Sequence, residues 1–248
     1  MNKSILITGA GRGIGAACAL LAAGQGYRVC VNYLSDDAAA SGVVDAIAAR
    51  GGAAFAVKAD VSDEAQVERM FREIDARFGR LDALVNNAGV LSQQMRVDQM
   101  RAARIHRIMA TNVVGSILCA REAVRRMSTS HGGPGGAIVN VSSRAGVLGA
   151  AGEYVDYAAS KAAMDALTIG LSKEVAAEGI RVNGVRPGLI ETEMHASGGE
   201  PGRVARLAAS VPMGRGGQAS EVAQAVLWLL SDAASYTTGS FIEVSGGR

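Results

Sequence analysis

The chain has 248 residues, of which 49% are hydrophobic, 4% aromatic and 19% charged, and its formal net charge is +2. A charge this small, with no run of Lys or Arg forming a stripe, excludes the usual basic footprint of a nucleic-acid-binding protein. The length allows one large α/β domain with a full hydrophobic core.

Short apolar runs alternate along the chain with longer helical patterns. The runs predict strands at residues 4–8, 28–33, 53–58, 83–86, 137–141, 181–185 and 240–244. The helical patterns cover residues 14–25, 37–50, 64–78, 100–126, 157–177 and 220–231. Strands that are apolar throughout indicate a parallel sheet covered on both faces. We therefore predict a single-domain α/β fold over residues 1–248, a Rossmann fold doubly wound around a seven-stranded parallel sheet.

The first predicted strand runs into a glycine-rich turn that opens the first helix. Glycine allows a sharp turn and a close approach of backbone to ligand, and a helix N-terminus offers unpaired N–H groups to phosphate. A turn of this kind after the first strand of an α/β alternation predicts a dinucleotide site. The predicted cofactor contacts here are Gly9, Gly11, Arg12, Gly13, Ile14 and Gly15.

The end of the second strand bears on which dinucleotide binds. NAD sites usually place an acid there, whereas NADP sites replace it with a cation. Asn32 and Ser35 occupy this region, and no acid occurs before Asp36. Since Arg12 also lies within reach of a 2′-phosphate, we expect NADP, while Asp36 and Asp37 leave NAD open.

Residues 192–217 interrupt the alternation with several glycines around a short helical pattern at 203–210. Glycine-flanked segments at the carboxyl ends of strands often act as lids over a site. We expect a substrate lid here, with an ordinary surface insertion as the alternative.

The three cysteines, Cys18, Cys30 and Cys119, are widely spaced in apolar sequence, which is typical of reduced core residues. They form no metal-ligand spacing with the three histidines, so we expect no metal. Neither a secretory signal nor an apolar stretch of membrane-spanning length is apparent, so we expect a cytoplasmic protein without membrane contact.

Tyr157 and Lys161 are four residues apart in a predicted helix and therefore share a face. A tyrosine ionises near pH ~10, and a neighbouring ammonium favours the phenolate. The pair predicts a proton-transfer group, although such a spacing also occurs by chance as an exposed pair.

With the motifs at residues 8–15, 86–89 and 157–161 in this order, the chain resembles the short-chain dehydrogenase/reductase family over nearly all its length. It is most similar to bacterial 3-oxoacyl-carrier-protein reductases and glucose dehydrogenases. The resemblance implies adenine contacts from Asp60 and Val61 and ribose-side contacts from Asn87, Ala88 and Gly89. It also implies contacts near the nicotinamide from Pro187, Gly188, Ile190 and Thr192, and ribose binding by Lys161 beside Tyr157.

The resemblance further implies a catalytic set of Asn112, Ser143, Tyr157 and Lys161. Tyr157 would exchange the proton, Lys161 would keep its pKa low, Ser143 would bind the substrate carbonyl, and Asn112 would hold a water that links Lys161 to solvent. Ser142 is an alternative to Ser143, because the spacing to Tyr157 is one residue longer than the family pattern. Tyr154 is an outside candidate for the acid, but no lysine follows it by four residues.

The expected reaction is hydride transfer between NADP(H) and a small carbonyl or secondary alcohol substrate, by a homodimer or homotetramer. A 3-oxoacyl-carrier-protein substrate would favour a basic patch, for which Arg203, Arg206 and Arg215 are candidates, although they could equally be solvated. His195 is interpreted as a surface or substrate-contact residue. A non-catalytic dinucleotide-binding sensor or scaffold, and a methyltransferase, are the alternatives.

Overall fold

A parallel sheet forms the centre of the computed structural model, which describes residues 3–248. Nine strands occur within that range: β1 (Ser4–Ile7), β2 (Arg28–Tyr33), β3 (Ala54–Lys58), β4 (Ala83–Asn86), β5 (Gly136–Val141), β6 (Ile180–Pro187), β7 (Ile190–Glu191), β8 (Gly217–Gln218) and β9 (Phe241–Val244). Seven of them pair in the order β3-β2-β1-β4-β5-β6-β9, every pair parallel, and β7 pairs with β8 separately. The predicted seven-stranded parallel sheet is confirmed.

The strand order reverses between β1 and β4, because Ile5 pairs with Val29 on one side and with Ala83 on the other. Connections from these two neighbours leave toward opposite faces, so a crevice opens at the carboxyl ends of the strands. The glycine-rich turn after β1 lies at this reversal.

Helices cover both faces of the sheet. In chain order they are α1 (Gly13–Gly24), α2 (Asp37–Ala48), α3 (Glu64–Phe78), α4 (Ala102–Met109), α5 (Gly115–Met127), α6 (Ala145–Leu148), α7 (Val155–Val175), α8 (Met194–Ser197), α9 (Arg203–Leu207) and α10 (Ala219–Leu230). One apolar core joins the sheet to α1, α2 and α10, and the other joins it to α3, α5 and α7. The sheet is thus doubly wound, as predicted.

The helix predicted over residues 100–126 forms, but it contains a π-helical turn in its middle. Helix α4 begins at Ala102, a π-helical turn follows at Ala110–Val114, and α5 begins at Gly115. A Cβ on Gly115 would lie 2.7 Å from a side-chain carbon of Val61, so the chain here is pressed against the loop after β3. The π turn contains Asn112, and turns of this kind are frequent at functional sites.

The three cysteines are free and fully buried in the two cores. Burial disfavours the thiolate and raises the pKa of Cys18 and Cys119 to about 12, so these thiols act as apolar core residues. Among residues 3–248, no helix combines the length and the apolar character needed to cross a bilayer.

Candidate active site

The glycine-rich turn holds the backbone in conformations that favour glycine. Gly9 and Gly13 have φ of 63° and 55°, in the left-handed region. At Gly15 a Cβ would lie 2.5 Å from the Gly9 carbonyl oxygen and 2.6 Å from the Asn87 amide nitrogen, so this position has no room for a side chain. Gly13 and Ile14, the first residues of α1, line the crevice beside this turn, and the first N–H groups of a helix have no partner within the helix.

A cleft of about 400 Å³ extends from this turn across the carboxyl ends of the strands. The predicted cofactor residues that line it are Gly9, Gly11, Arg12, Gly13, Ile14, Asn32, Ser35, Asp60, Val61, Asn87, Ala88, Gly89 and Thr192. Gly15 packs behind the turn instead. The sequence reasoning missed Arg107, Thr111 and Glu193, which also line the cleft. Arg107 and Thr111 are four residues apart in a predicted helix, so the sequence does indicate that these two side chains share one face.

Asp36 and Asp37, the two acids that could bind the ribose of NAD, both accept hydrogen bonds from other groups of the protein. The Asp36 carboxylate caps α2 by accepting from the Ala39 amide at 2.9 Å. The Asp37 carboxylate accepts from the Tyr33 hydroxyl at 2.6 Å and from Lys58 at 3.4 Å. The hydrogen bond from Tyr33 and that from Lys58 lower the pKa of Asp37.

Arg12 is the cation at the mouth of this cleft. Its side chain is 62% exposed, and its Nε lies 3.8 Å from the carboxylate of Glu193. An ion pair this long and exposed contributes little stability, so the guanidinium is free to reorient toward an anion.

A second cavity, of about 180 Å³, adjoins the cleft and contains the predicted catalytic side chains Ser143, Tyr157 and Lys161. Pro187, Gly188, Ile190 and Thr192 line it from the other side. Ile14 and Asn87 line both spaces, so the catalytic side chains and the glycine-rich turn face one continuous crevice.

Asn112 is buried beneath this crevice rather than lining it. Its Oδ1 accepts from the Val90 amide at 2.8 Å, and its Nδ2 donates to the Val90 carbonyl at 3.1 Å and to Ser160 Oγ at 3.0 Å. A Cβ on Gly89 would lie 3.5 Å from Asn112 Oδ1 and 3.6 Å from Lys161 Nζ. Asn112 therefore ties the loop after β4 to α7 close to the lysine.

The two adjacent serines are in different environments. Ser142 is 2% exposed, and its hydroxyl donates to the Lys161 carbonyl at 3.0 Å, which fixes α7 to β5. Ser143 is partly exposed in the cavity and interacts with the Tyr157 hydroxyl. The geometry thus favours Ser143 over Ser142 as the serine able to contact a substrate.

Burial dominates the electrostatics of Tyr157 and Lys161. It raises the pKa of Tyr157 to about 12, with the hydrogen bond to Ser143 acting in the opposite direction. It lowers the pKa of Lys161 to about 8, with the charge of Asp165 acting against it. The lowering of the Tyr157 pKa by Lys161 stays a prediction, because in the protein alone desolvation of the phenolate sets the direction of the shift and the ammonium makes no contribution to it.

The position of Lys161 explains this result. Its Nζ donates to the Val141 carbonyl at 2.7 Å and lies 5.6 Å from the centroid of the Tyr157 ring. The ammonium thus faces the aromatic ring as well as the end of β5, rather than pairing with a phenolate.

The side chain of Asp156 fixes the backbone at Tyr157. The Asp156 carboxylate accepts from the Tyr157 amide at 2.9 Å and pairs with Arg104, whose Nε lies 2.6 Å away. Arg104 also donates to the carbonyl of Gln93. This largely buried pair connects α4 and the loop before it to the first turn of α7.

The segment at residues 192–217 contains α8 and α9 and covers one end of the second cavity. Arg203 is 8% exposed and pairs with Glu153, at 2.5 Å, and with Glu200, at 3.1 Å. Arg206 pairs with Glu200, and Arg215 pairs with Glu221 at 2.7 Å. Of the two alternatives left open for these arginines, an uncompensated basic patch is disfavoured, because each of them pairs with a glutamate.

Tyr154 lies against this segment, and His195 belongs to it. The Tyr154 hydroxyl is directed at the Gly198 carbonyl, 3.5 Å away, and the Arg203 guanidinium stacks over its ring at 5.2 Å. His195 lines the second cavity, and its Nε2 lies 2.9 Å from the Ile190 carbonyl oxygen.

Known proteins resemble this chain over nearly its whole length. A family model described as enoyl-(acyl carrier protein) reductase matches residues 9–248. The uncharacterized oxidoreductase YgfF of Escherichia coli is 62% identical over 98% of each chain. The 3-oxoacyl-[acyl-carrier-protein] reductase FabG of Staphylococcus aureus is 38% identical over 100% of this chain and 98% of its own.

Among solved structures, a short-chain dehydrogenase from Burkholderia cenocepacia in complex with NADP superposes with a TM-score of 0.90 at 31% identity. The match covers 99% of this chain and 97% of that one. The fold, the crevice and these matches agree: the chain is an oxidoreductase of the short-chain dehydrogenase/reductase family.

Proposed function

We propose that this protein transfers hydride between NADP(H) and the carbonyl or secondary alcohol carbon of a small molecule. The observation that carries the proposal is the placement of Ser143, Tyr157 and Lys161 in a cavity continuous with the cleft at the glycine-rich turn. In this arrangement Tyr157 gives a proton to the substrate oxygen, and Ser143 donates a hydrogen bond to the same oxygen.

The cleft fits a dinucleotide. The glycine-rich turn leaves the first amides of α1 free for a pyrophosphate, and Gly15 keeps the turn close to α1 and Asn87. Asp60 and Val61 would contact the adenine, and Lys161 the nicotinamide ribose. When bound there, the nicotinamide supplies the hydride.

If the ribose contact holds the Lys161 ammonium near Tyr157, its positive charge opposes the rise that burial causes in the pKa of the phenol. The Lys161 ammonium would then stabilise the phenolate that remains after proton transfer, while the hydroxyl of Ser143 stabilises the substrate oxygen. Asn112 holds the loop at Val90 and the serine of α7 that flank the lysine.

The panel that tests this function consists of ketones, aldehydes and secondary alcohols, offered with NADPH or NADH and followed by nicotinamide absorbance. We expect NADPH-dependent reduction of at least one ketone. Tight binding of NADPH without turnover of any member would favour a non-catalytic sensor instead.

The preference for NADP is supported by the hydrogen bonds that already occupy Asp36 and Asp37 and by the exposed guanidinium of Arg12, which has a long ion pair with Glu193. We expect Arg12→Ala to weaken NADPH binding about tenfold, the value of one charge-assisted contact, and to leave NADH binding unchanged. Fluorescence titration with both cofactors measures this, with Arg50→Ala as a control at an exposed residue in the turn after α2. Equal weakening of both cofactors would contradict a role at the 2′-phosphate.

The two serines provide a second test. We expect Ser143→Ala to lower kcat about a hundredfold, since it removes a donor to the developing oxyanion. Ser142→Ala removes a buried bond to α7 and should act on stability, lowering the free energy of unfolding by about 1 kcal/mol. Steady-state kinetics and urea unfolding of both variants separate these effects. A larger kcat loss in Ser142→Ala would reverse the assignment.

A carrier-protein substrate is the second candidate, favoured by the 38% identity to the Staphylococcus aureus protein. The neutralised arginines at 203, 206 and 215 argue for a free small molecule, because an acidic carrier needs an uncompensated basic surface. Apolar side chains are exposed on α5, the π turn before it and α7, among them Val114, Ile117 and Ile169. They support the proposed homodimer or homotetramer.

A further inference from the structure

The imidazole of His195 has no role in the proposed proton transfer, yet it lines the same cavity as Ser143 and Tyr157. Its Nε2 lies 2.9 Å from the Ile190 carbonyl oxygen. A carbonyl oxygen only accepts, so Nε2 carries the hydrogen. In a neutral imidazole the other nitrogen, Nδ1, is then an acceptor.

The surroundings of His195 keep it neutral. Burial lowers its pKa, and the nearby charge of Arg203 acts in the same direction against the contact with Ile190. The ring therefore presents a lone pair at Nδ1 near neutral pH.

Nδ1 is buried and has no hydrogen-bond partner within residues 3–248. Buried polar atoms are almost always paired, and an unpaired one at a binding site indicates a partner that arrives with the ligand. The neighbouring charges do not supply it, because Arg203 and Glu153 pair with each other at this end of the cavity.

Resting on the reductase function proposed above, we propose that His195 is a specificity-determining residue whose Nδ1, buried in the protein alone, is uncovered when the substrate enters and then accepts a hydrogen bond from a hydroxyl group of that substrate. The substrate is then a compact ketone or aldehyde that carries a hydroxyl besides the reacting carbonyl. The cavity, at about 180 Å³, suits such a molecule better than a long alkyl chain.

Matched substrate pairs test this assignment: hydroxyacetone with acetone, acetoin with butanone, and glyceraldehyde with propanal. The quantity compared is the ratio of kcat/KM for the hydroxylated member to that for its deoxy partner. The intrinsic reactivity of each carbonyl is the same for the parent and a variant, so it cancels when the parent ratio is divided by the ratio of the variant.

Two variants separate the nitrogens of the ring. His195→Gln can still donate to the Ile190 carbonyl but offers no acceptor at the Nδ1 position, whereas His195→Asn places an amide oxygen near that position. We expect His195→Gln to lower the ratio at least about tenfold, mainly through KM of the hydroxylated substrates. His195→Asn should restore part of the loss.

Nitrogen NMR gives a readout that does not depend on turnover. The chain has three histidines, so the His195 signals are identified by their loss in His195→Gln. Hydroxyacetone has no secondary alcohol to oxidise, and NADP⁺ permits no reduction, so adding hydroxyacetone to the protein with NADP⁺ should move the Nδ1 resonance without turnover, and acetone should not.

The outcomes are distinguishable. Reduction of both members of a pair, with the same ratio in parent and His195→Gln and no Nδ1 shift, overturns the role of His195 and leaves the reductase function standing. Failure of NADPH both to bind and to be oxidised by any substrate overturns the proposed function, and this inference with it.

Discussion

Tyr157→Phe is expected to bind NADPH as tightly as the parent protein and to lose about a thousandfold in turnover, the usual value of a general acid. The ring is retained in phenylalanine, so its packing over Lys161 persists. What disappears is the hydroxyl that interacts with Ser143 and gives the proton. Stopped-flow measurement of nicotinamide oxidation, with fluorescence titration of NADPH, separates the two effects.

Tyr236→Phe is the matched control for this variant, because Tyr236 is fully exposed and lines neither cavity. It should retain the kinetics of the parent. If Tyr154→Phe lost turnover while Tyr157→Phe kept it, the acid would have to be reassigned to Tyr154, whose hydroxyl points at the Gly198 carbonyl.

Lys161→Met should change the pH dependence of stability as well as abolish turnover. Burial lowers the pKa of Lys161 to about 8 from 10.5, so the charged side chain opposes folding below pH 8. Between the two pKa values the unfolded chain binds one proton more than the folded chain, so raising the pH removes this penalty. The parent should therefore gain about 2 to 3 kcal/mol relative to Lys161→Met between about pH 7 and 10.

Urea unfolding of both proteins without cofactor, at several pH values across that window, gives this difference directly. All other titrating groups are common to the two chains and cancel. Lys173→Met is the control, because Lys173 is exposed near the end of the same helix. Parallel stability curves for the parent and Lys161→Met would show that the ammonium is not desolvated in the folded chain.

The sheet was predictable because each of its strands can be recognised from the few consecutive residues that form it. Each strand of the main sheet is a short apolar run, and the glycine-rich turn follows the first of them, so the seven strands of that sheet, their order along the chain and the position of the cleft follow from the sequence. The placement of Ser143 beside Tyr157 also agrees with the motif spacing, even with one residue inserted between them.

The remaining features depend on contacts that sequence spacing does not contain. Arg203 pairs with Glu153, fifty residues earlier, so its charge is neutralised within the fold and is not available at the surface. The π turn at Ala110–Val114 accompanies contacts of Asn112 with Val90 and Ser160. The pKa of Tyr157 is set by burial, which a four-residue spacing does not reveal.

Asp36 has a consequence for redesigning cofactor choice. Its carboxylate caps the N-terminus of α2 by accepting from the Ala39 amide, so an acid that lines the cleft is also needed for the helix. Turning it toward a ribose would uncap the helix at a cost of about 1 kcal/mol. An engineer seeking NAD selectivity should therefore introduce a new carboxylate, for instance at Leu34 or Ser35, rather than recruit the existing one. A carboxylate at either position would change the cofactor preference and leave the cap of α2 in place.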